Sequence, residues 1–466
     1  MTVATPDRAS VEAFAGRLQG ALITPADAGY EQARTIYNAM IDKRPALIAR
    51  CEGESDVIAA VNFARQNGLD LAIRSGGHNG AGLSLVDDGL VIDLSPMNRV
   101  EVDPAARTVR VQGGCTWGDV DRATQPFGLA VPSGIISTTG VGGLTLGGGH
   151  GYLSRKYGLT VDNLLAAEVV LADGRLVTAS ETENADLFWA LRGGGGNFGV
   201  VTSFLFRAHP AGTVYAGPMV WPIDQAEKIL RWYRDFIVEA PEDLYGWFGF
   251  HQVPTGSPLP AELHGQHGCV ITWCYTGPLD RAEEVFEPIR ALGTTALDLV
   301  GPVPFADLQS MFDQLYYPPG LQWYWKADFV KELSDEALAI HLRYGTDLPS
   351  ELSTMHLYPI DGAVRRVGRG ETAFSYRDVT WSCVIVGVDP APENAGRVSA
   401  WAKEYWSALH PHSAGGGGYV NFMMEEGQER IKATYRDNYE RLAEIKRRYD
   451  PDNLFHVNQN IVPARA

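Results

Sequence analysis

Several short glycine-rich segments are the residues most suited to chemistry in this sequence, because glycine leaves backbone N–H groups open to a phosphate-bearing ligand. They occupy residues 76–79, 139–143, 147–151 and 193–199, with the sequences GGHN, TGVGG, GGGHG and GGGGNFG. For any one of them a plain structural turn is the alternative. None fits the P-loop spacing, and none opens the helix of a βαβ unit with an acidic residue about 20 positions on. The set therefore predicts a large ligand spread over several loops.

The elements that must hold these segments alternate between helix and strand. Strand-like patterns at 45–50, 69–73 and 91–94 enclose an amphipathic helix at 55–65, and the loop 74–79 follows the second strand directly. Two hairpins are predicted at 99–111 and 166–178. After about residue 212, strands such as 268–274 and 381–386 are interleaved with helices such as 223–240 and 281–292, and 427–449 again has helical spacing. This pattern predicts an α+β protein of two domains.

Five ordered motifs give the chain a specific resemblance. They are RSGGHN at 74–79, GVGGxxxGGGHG at 140–151, RKYGLTVDN at 155–163, LRGGGGNFGVVT at 191–202 and NYERLxxIKxxYDPDNLFxxNQNI at 438–461. Together they resemble the FAD-linked oxidases of the vanillyl-alcohol-oxidase superfamily, and the last is similar to the tail of berberine-bridge enzymes. The resemblance implies a PCMH-type FAD-binding domain of two α/β subdomains, formed by 1–212 and 416–466. It also implies a substrate domain, 213–415, with an antiparallel sheet backed by helices.

The resemblance implies that His78 is bonded to the 8α-methyl carbon of the flavin, which suits a neutral imidazole as nucleophile. A loop histidine that only caps backbone groups is the alternative. Ile136 stands where many berberine-bridge-type enzymes have a second, cysteinyl link, so a single bond is expected, as in the branch of 6-hydroxy-D-nicotine oxidase. This favours compact amines or alcohols over bulky oligosaccharides. The remaining cofactor contacts implied are Arg74, Ser75, Gly76, Gly77, Asn79, Thr138, Thr139, Gly140, Gly142, Gly143, Gly149, Gly151, Asn163, Gly199, Val200, Val201, Tyr419, Asn458 and Asn460.

The substrate half-reaction needs a general base that removes a proton from oxygen or nitrogen while hydride leaves the adjacent carbon. The resemblance implies Tyr419 as this base, for which its pKa must be depressed. The alternative is a stacked ring whose hydroxyl is bonded to Asn421. Further candidates lie on two predicted strands: Tyr324, Trp325 and Lys326, with Tyr324 and Lys326 on one face, and His356 with Tyr358. An aromatic stripe on a strand is more often core.

We therefore predict an FAD-dependent oxidase of a small alcohol, amine or sugar-like substrate, with O2 as electron acceptor and H2O2 as product. Thr139 stands at the position that the resemblance links to oxygen access, where small residues accompany oxidases. Its alternative role is packing against the flavin. A flavin dehydrogenase, a tailoring enzyme of secondary metabolism and a non-catalytic flavin-binding protein stay open as other functions.

Composition limits the partners and the location. The 56 acidic and 39 basic residues give a formal net charge of −17, which repels nucleic acid and anionic membranes. No uncharged apolar stretch of 18 residues occurs, and Asp7 and Glu12 interrupt any signal peptide, so a cytoplasmic protein is expected. The five cysteines are expected to be reduced and mostly buried, with no metal site. A monomer or homodimer is predicted.

Overall fold

A four-stranded sheet carries the first glycine-rich loop in the computed structural model, which describes residues 6–313 and 318–465. The strands have the order β1-β2-β4-β3, with β2 and β3 parallel to β4. The preceding helix, Glu54–Asn67, has acidic residues in its first turn and ends at Gly68, whose φ of 61° suits glycine. Loop 75–79 thus leaves the carboxyl end of a buried strand. The strands are β1 (Ala21–Ile23), β2 (Leu47–Arg50), β3 (Leu71–Arg74) and β4 (Leu90–Asp93).

A second, antiparallel sheet contains both predicted hairpins. Its order is β5-β6-β10-β8-β9. Val109 and Phe204 of this sheet share one hydrophobic cluster with Tyr435, Leu442 and Ile461 of the C-terminal tail. The tail therefore packs on the N-terminal half of the chain. The strands are β5 (Val100–Asp103), β6 (Thr108–Gln112), β8 (Leu164–Val170), β9 (Leu176–Ser180) and β10 (Val200–Arg207), beside a small pair of β7 (Leu129–Ala130) and β11 (His209–Pro210).

A third, antiparallel sheet has the order β15-β12-β14-β13-β18-β19-β17, with β16 paired to β12. Side chains alternate between its two faces. Phe248 and Leu357 pack with helical residues such as Tyr233 on one face, whereas Trp247 and Tyr358 belong to a different cluster on the other. The strands are β12 (Thr213–Pro222), β13 (Leu244–Gln252), β14 (His267–Tyr275), β15 (Leu297–Asp298), β16 (Gly301–Pro304), β17 (Gln322–Val330), β18 (Thr354–Pro359) and β19 (Trp381–Asp389).

The α-helices lie between these strands and at the C-terminus. The stretch 427–449 contains two helices rather than one, because Arg436 between them has a φ of 49°, which an α-helix does not allow. The helices are α1 (Arg8–Ala15), α2 (Tyr30–Ala33), α3 (Glu54–Asn67), α4 (Trp117–Thr124), α5 (Val141–Leu146), α6 (Ser154–Tyr157), α7 (Ala185–Leu191), α8 (Ala226–Glu239), α9 (Ala282–Arg290), α10 (Phe305–Ser310), α11 (Asp335–Gly345), α12 (Ala363–Arg366), α13 (Ala395–Leu409), α14 (Gln428–Tyr435) and α15 (Tyr439–Tyr449).

The α+β class is confirmed, whereas the domain boundaries stay a prediction. In the part of the chain that the structure describes, no helix is both long and apolar enough to cross a membrane. The five cysteines are free and buried, and Cys269 and Cys274 belong to clusters on opposite faces of the large sheet. Among residues 6–313 and 318–465, no group of three or more His, Cys, Asp or Glu side chains could hold a metal ion.

Candidate functional site

A cavity of about 310 Å³ lies where the glycine-rich loops, the C-terminal tail and the large sheet meet. The loops supply one wall, the tail contributes 457–459, and the large sheet closes the opposite side. Most predicted cofactor contacts line it, which brings together segments more than 300 residues apart in sequence. Those that do are Ser75, Gly76, Gly77, His78, Asn79, Thr139, Gly140, Gly142, Gly143, Gly199, Val200, Val201, Tyr419 and Asn458.

Two of the glycine-rich loops touch backbone to backbone. A Cβ added to Gly76 would lie 2.4 Å from the backbone nitrogen of Gly140, and one added to Gly140 would lie 2.2 Å from that of Gly76. Gly143 and Gly196 also line the cavity, and a Cβ at either would meet nothing within 4 Å. Glycine is therefore required where Gly76 meets Gly140. At Gly143 and Gly196 the missing side chain leaves the backbone amide and part of the cavity volume open.

His78 lines the same cavity. Its ring stacks on Tyr37 with centroids 4.1 Å apart, and its Nε2 lies 3.1 Å from Oγ1 of Thr138. Desolvation lowers the pKa of His78 to about 4, so the imidazole is neutral at pH 7. A neutral imidazole is the form that can act as a nucleophile toward a carbon atom.

The C-terminal tail is fixed to the fourth glycine-rich loop by buried polar groups. The side-chain amide of Asn197 donates to the backbone oxygens of Gly194 and Gln459 at 2.9 and 3.2 Å. The ammonium of Lys446 donates to the Asn197 carbonyl at 2.7 Å and to Asp450 at 2.6 Å, and both charged side chains are fully buried. Sequence reasoning missed Asn197 and Lys446, although both lie inside the quoted motifs.

Alternation along β17 decides which candidates face the cavity. Trp323 and Trp325 line it, whereas Tyr324 and Lys326 do not. Tyr324 packs with the helix-side cluster, and Lys326 pairs with Glu426 at 3.0 Å. The two side chains share a face, as the alternation predicts, and this face is the helix-covered side of the sheet, away from the cavity. The aromatic side chains on the cavity side of β17 are those of Trp323 and Trp325.

His356 and Tyr358 line the cavity from β18 and belong to a hydrogen-bonded chain. Nδ1 of His356 lies 2.6 Å from the Tyr358 hydroxyl, and its Nε2 lies 3.2 Å from Nε2 of His251 on β13. Gly249, opposite His356 in register, makes room for both rings, since a Cβ there would lie 2.9 and 3.0 Å from them. Burial holds the pKa of His356 well below its usual value, with His251 adding to the effect, and lowers the pKa of His251 to about 3.

Tyr419 lines the cavity with a hydroxyl that is already engaged. It accepts hydrogen bonds from the backbone N–H of Gly149 at 2.9 Å and from the amide of Asn421 at 2.8 Å. Its ring lies 4.6 Å from that of His150. Burial raises the pKa of Tyr419 to about 12, although both hydrogen bonds act to lower it. This direction is the opposite of the one a base near neutral pH requires, so the geometry favours the alternative in which the ring packs and Asn421 binds its hydroxyl.

Six predicted cofactor contacts are not among the residues that line the cavity, and their contact with the cofactor stays a prediction. Arg74 pairs with buried Asp93 at 2.8 Å, and Asn163 bonds the backbone oxygens of Tyr157 and Leu159. The other four also make contacts within the protein, although the side-chain oxygen of Asn460 is buried without a hydrogen-bond partner among the described residues. Gly149 donates to Tyr419, Gly151 packs against the Ser133 carbonyl, Thr138 contacts His78, and the Asn460 carbonyl accepts from Gln428.

The described lining of the cavity contains no Asp, Glu, Lys or Arg side chain. Its titratable groups are histidines and tyrosines, including His150, which sequence reasoning missed although it lies in the motif at 140–151. Burial lowers the pKa of His150 to about 3. A flat, extended ligand fits the residues that line this cavity. Open glycine amides can bind its phosphates, and aromatic side chains can pack against its rings. The residues present therefore fit the dinucleotide that the motifs predict.

Comparison with known proteins gives consistent similarities over the whole chain. A family model described as FAD binding domain matches residues 45–180, and one described as Berberine and berberine like matches 418–462. An FAD-linked oxidoreductase of Dictyostelium discoideum is 31% identical, covering 98% of this chain and 97% of the relative. The (R)-6-hydroxynicotine oxidase of Paenarthrobacter nicotinovorans is 31% identical, covering 96% and 97%. The crystal structure of 6-hydroxy-D-nicotine oxidase from Arthrobacter nicotinovorans superposes with a TM-score of 0.86 at 29% identity, covering 96% and 98%.

Proposed function

Since this chain belongs to the berberine-bridge-enzyme-like family of FAD-linked oxidoreductases, we propose that it is an oxidase of a small alcohol, amine or sugar-like molecule. We further propose that FAD is held through a single bond to His78 and that O2 is the electron acceptor, with H2O2 as product. The (R)-6-hydroxynicotine oxidase among the relatives supports the oxidase assignment. So does Thr139, a small residue that lines the cavity.

The observation that carries the proposal is the cavity itself, in which open glycine amides, a neutral His78 and an aromatic sheet wall converge. The backbone amides at 76–77, 140, 142–143 and 196 would hold the diphosphate, because those of Val141 and Gly195 already donate to backbone oxygens of the protein, and His78 would tether the ring system. When bound, FAD supplies a hydride acceptor and a route for electrons to O2. The side chains of the wall restrain the donor carbon and exclude water from it.

Acid precipitation of the purified holoprotein tests the attachment. A yellow pellet is expected from the wild type, and a colourless pellet from His78→Ala, with the flavin free in the supernatant. His356→Gln is the matched control, because it removes another cavity histidine and should leave the pellet yellow. A colourless wild-type pellet, or a yellow pellet from His78→Ala, refutes the assignment of His78.

Peroxide yield tests the electron acceptor. With a substrate that reduces the flavin anaerobically, one H2O2 per substrate oxidised in air is expected. Reduction of a dye acceptor without peroxide in air identifies a dehydrogenase instead. Flavin that alcohols, amines and sugars all fail to reduce argues for a binding protein without turnover.

A further inference from the structure

A buried chain of polar side chains runs from α4 through α10 to the loop 133–137. Asp121 of α4 is 3% exposed, and neither oxygen of its carboxyl has a hydrogen-bond partner among the described residues. Gln309 of α10 is fully buried, and its Oε1 likewise lacks a partner in the described part of the chain. The Nε2 of Gln309 donates to Oγ of Ser133 at 2.7 Å. That Oγ lies 3.4 Å from the carbonyl oxygen of Gly134.

The atoms without a partner are all acceptors when Asp121 is ionised, and buried acceptors without a donor are costly. Burial raises the pKa of Asp121 to about 8, against a lowering by the Gln309 amide that identifies this side chain as its hydrogen-bonding neighbour. One proton on the carboxyl supplies the missing donor. The Asp121 hydroxyl then donates to Oε1 of Gln309, and Nε2 remains bonded to Ser133.

The ionised form of Asp121 requires the opposite direction of hydrogen bonding. A carboxylate only accepts, so the Gln309 amide must turn over, with Nε2 donating to Asp121 and Oε1 accepting from the Ser133 hydroxyl. This turn exchanges an oxygen for an NH2 group of similar size and leaves the backbone in place. The Ser133 hydrogen then points to Gln309 and no longer to the Gly134 carbonyl. The protonation state of Asp121 therefore fixes the direction of every hydrogen bond in the chain.

The loop 133–137 carries this difference to the cavity, which residues 134–136 line. The far end of the loop is held by Asp313, just after α10. Its carboxylate accepts from the N–H of Ser137 at 3.1 Å and from the Ser137 hydroxyl. Side chains of one segment, 309–313, thus hold the loop at both ends, and a change at Ser133 acts on a loop whose other end is fixed.

Few charges compete with this chain for control of Asp121. The guanidinium of Arg122 lowers the pKa of Asp121 and the carboxylate of Asp313 raises it, both less than burial does. Arg122 itself pairs with Asp119 rather than with Asp121. The remaining charged groups on β5 and α10, which pack against α4, are exposed, and they are Glu101, Asp103 and Asp307.

We propose that Asp121, Gln309 and Ser133 form a two-state hydrogen-bond relay, in which one proton on Asp121 sets the hydrogen bonding of the loop 133–137 beside the flavin. When the pH rises, this proton passes to solvent water and the relay reverses. The inference rests on the proposed function for the flavin and goes beyond it, because it makes positioning residues of three side chains that do not line the cavity.

Infrared difference spectra of the protein test the proton itself and need no flavin. Exposed carboxyl groups are ionised at pH 7, so a protonated-carboxyl band that is lost in Asp121→Asn reports this residue. The band should fade with a one-proton midpoint near pH 8. Asp307→Asn is the matched control, because it removes an exposed carboxylate from α10 and should leave the band unchanged. A wild type without the band, or a band that survives in Asp121→Asn, overturns the proposal.

Visible absorption of the flavin in the holoprotein, between about pH 6 and pH 9, tests the coupling. Wild type should show a step with the midpoint of the infrared band. Asp121→Asn should lose the step, because its amide keeps a donor toward Gln309 at every pH. Ser133→Ala should lose the step but keep the infrared band, because it cuts the relay and leaves the acid in place.

The outcomes separate the relay from its alternatives. A step that persists in Ser133→Ala indicates that the charge of Asp121 acts through space, which overturns the relay. A wild-type flavin whose absorption does not follow the infrared titration overturns it as well. A protein that binds no flavin refutes the proposed function, whereas a flavoprotein whose flavin and Asp121 titrate independently refutes only the present inference.

Discussion

Replacing Lys446 with methionine tests how the C-terminal tail secures one wall of the cavity. The buried ammonium of Lys446 donates to Asp450 and to the backbone oxygens of Asn197 and Phe455, at 2.6, 2.7 and 2.9 Å. Methionine has a similar length but no donor and no charge. The carboxylate of Asp450 would then be buried without a cation, and two carbonyls would lose a donor.

The expected cost is about 3–5 kcal/mol of the free energy of unfolding, which is the usual penalty for removing one partner of a buried ion pair. Most of it arises from the stranded charge rather than from the lost attraction. Adding Asp450→Asn to Lys446→Met removes that charge. The N–H groups of Leu454 and Phe455 donate to different carboxylate oxygens at 2.8 and 2.9 Å, so the single amide oxygen of asparagine can accept from one of them. The double variant should therefore be about 1–2 kcal/mol more stable than Lys446→Met alone.

Urea unfolding of holoprotein at pH 7, followed by tryptophan fluorescence, measures both effects. Lys432→Met is the matched control, because Lys432 is half exposed and its pairing with Glu429 is at the surface, so a change below about 0.5 kcal/mol is expected. A loss below about 1 kcal/mol in Lys446→Met would refute the reasoning. So would a double variant that is less stable than the single one.

Three further predictions follow from burial and close contact. Burial raises the pKa of Asp121 to about 8, so its carboxyl keeps a proton in the folded protein that the unfolded chain releases above pH 4. Asp121→Asn should therefore raise the free energy of unfolding by up to about 5 kcal/mol at pH 8 and by clearly less at pH 5. Equal gains at the two pH values in urea unfolding would contradict this. His150, His251 and His341 have pKa values lowered to about 3, so they stay neutral when unfolded histidines protonate. These three groups alone should lower stability by about 4 kcal/mol per pH unit as pH drops below 6.5 toward 4. A melting temperature that is constant from pH 7 to 4.5 would argue against it. Gly76→Ala should lower flavin content, because its Cβ overlaps Gly140, whereas Gly396→Ala, whose Cβ meets no atom and which lies in α13 away from the cavity, should leave the flavin absorbance ratio of the purified protein unchanged.

Local patterns were enough to predict most of the elements. The alternation and turn residues at 99–111 predict the hairpin that forms from Val100–Asp103 and Thr108–Gln112. The capped, amphipathic spacing at 55–65 predicts the helix found at Glu54–Asn67. In each case the signal lies within one element, because hydrophobic periodicity reports which face of that element is buried.

The composition of the site depended on contacts that no local pattern contains. Alternation separates Trp323 from Tyr324, but it does not say which face of β17 meets the cavity and which meets the helices. Lys326 is a candidate from its position on a predicted strand, yet its ammonium pairs with Glu426, 100 residues further along the chain. Tyr419 likewise finds Gly149 across the fold. Long-range pairing thus decides whether a chemically capable residue is exposed to ligand.

The participation of residues 457–459 in the cavity has a consequence for biosynthesis. A ribosome synthesises these residues after the glycine-rich loops and after all strands of the large sheet. Until then the chain lacks the segment that Lys446 and Asn197 secure, and one side of the cavity is open. Stable binding of the cofactor therefore requires synthesis to pass residue 459, and a chain that stops before this residue has every glycine-rich loop but lacks the segment that closes the cavity.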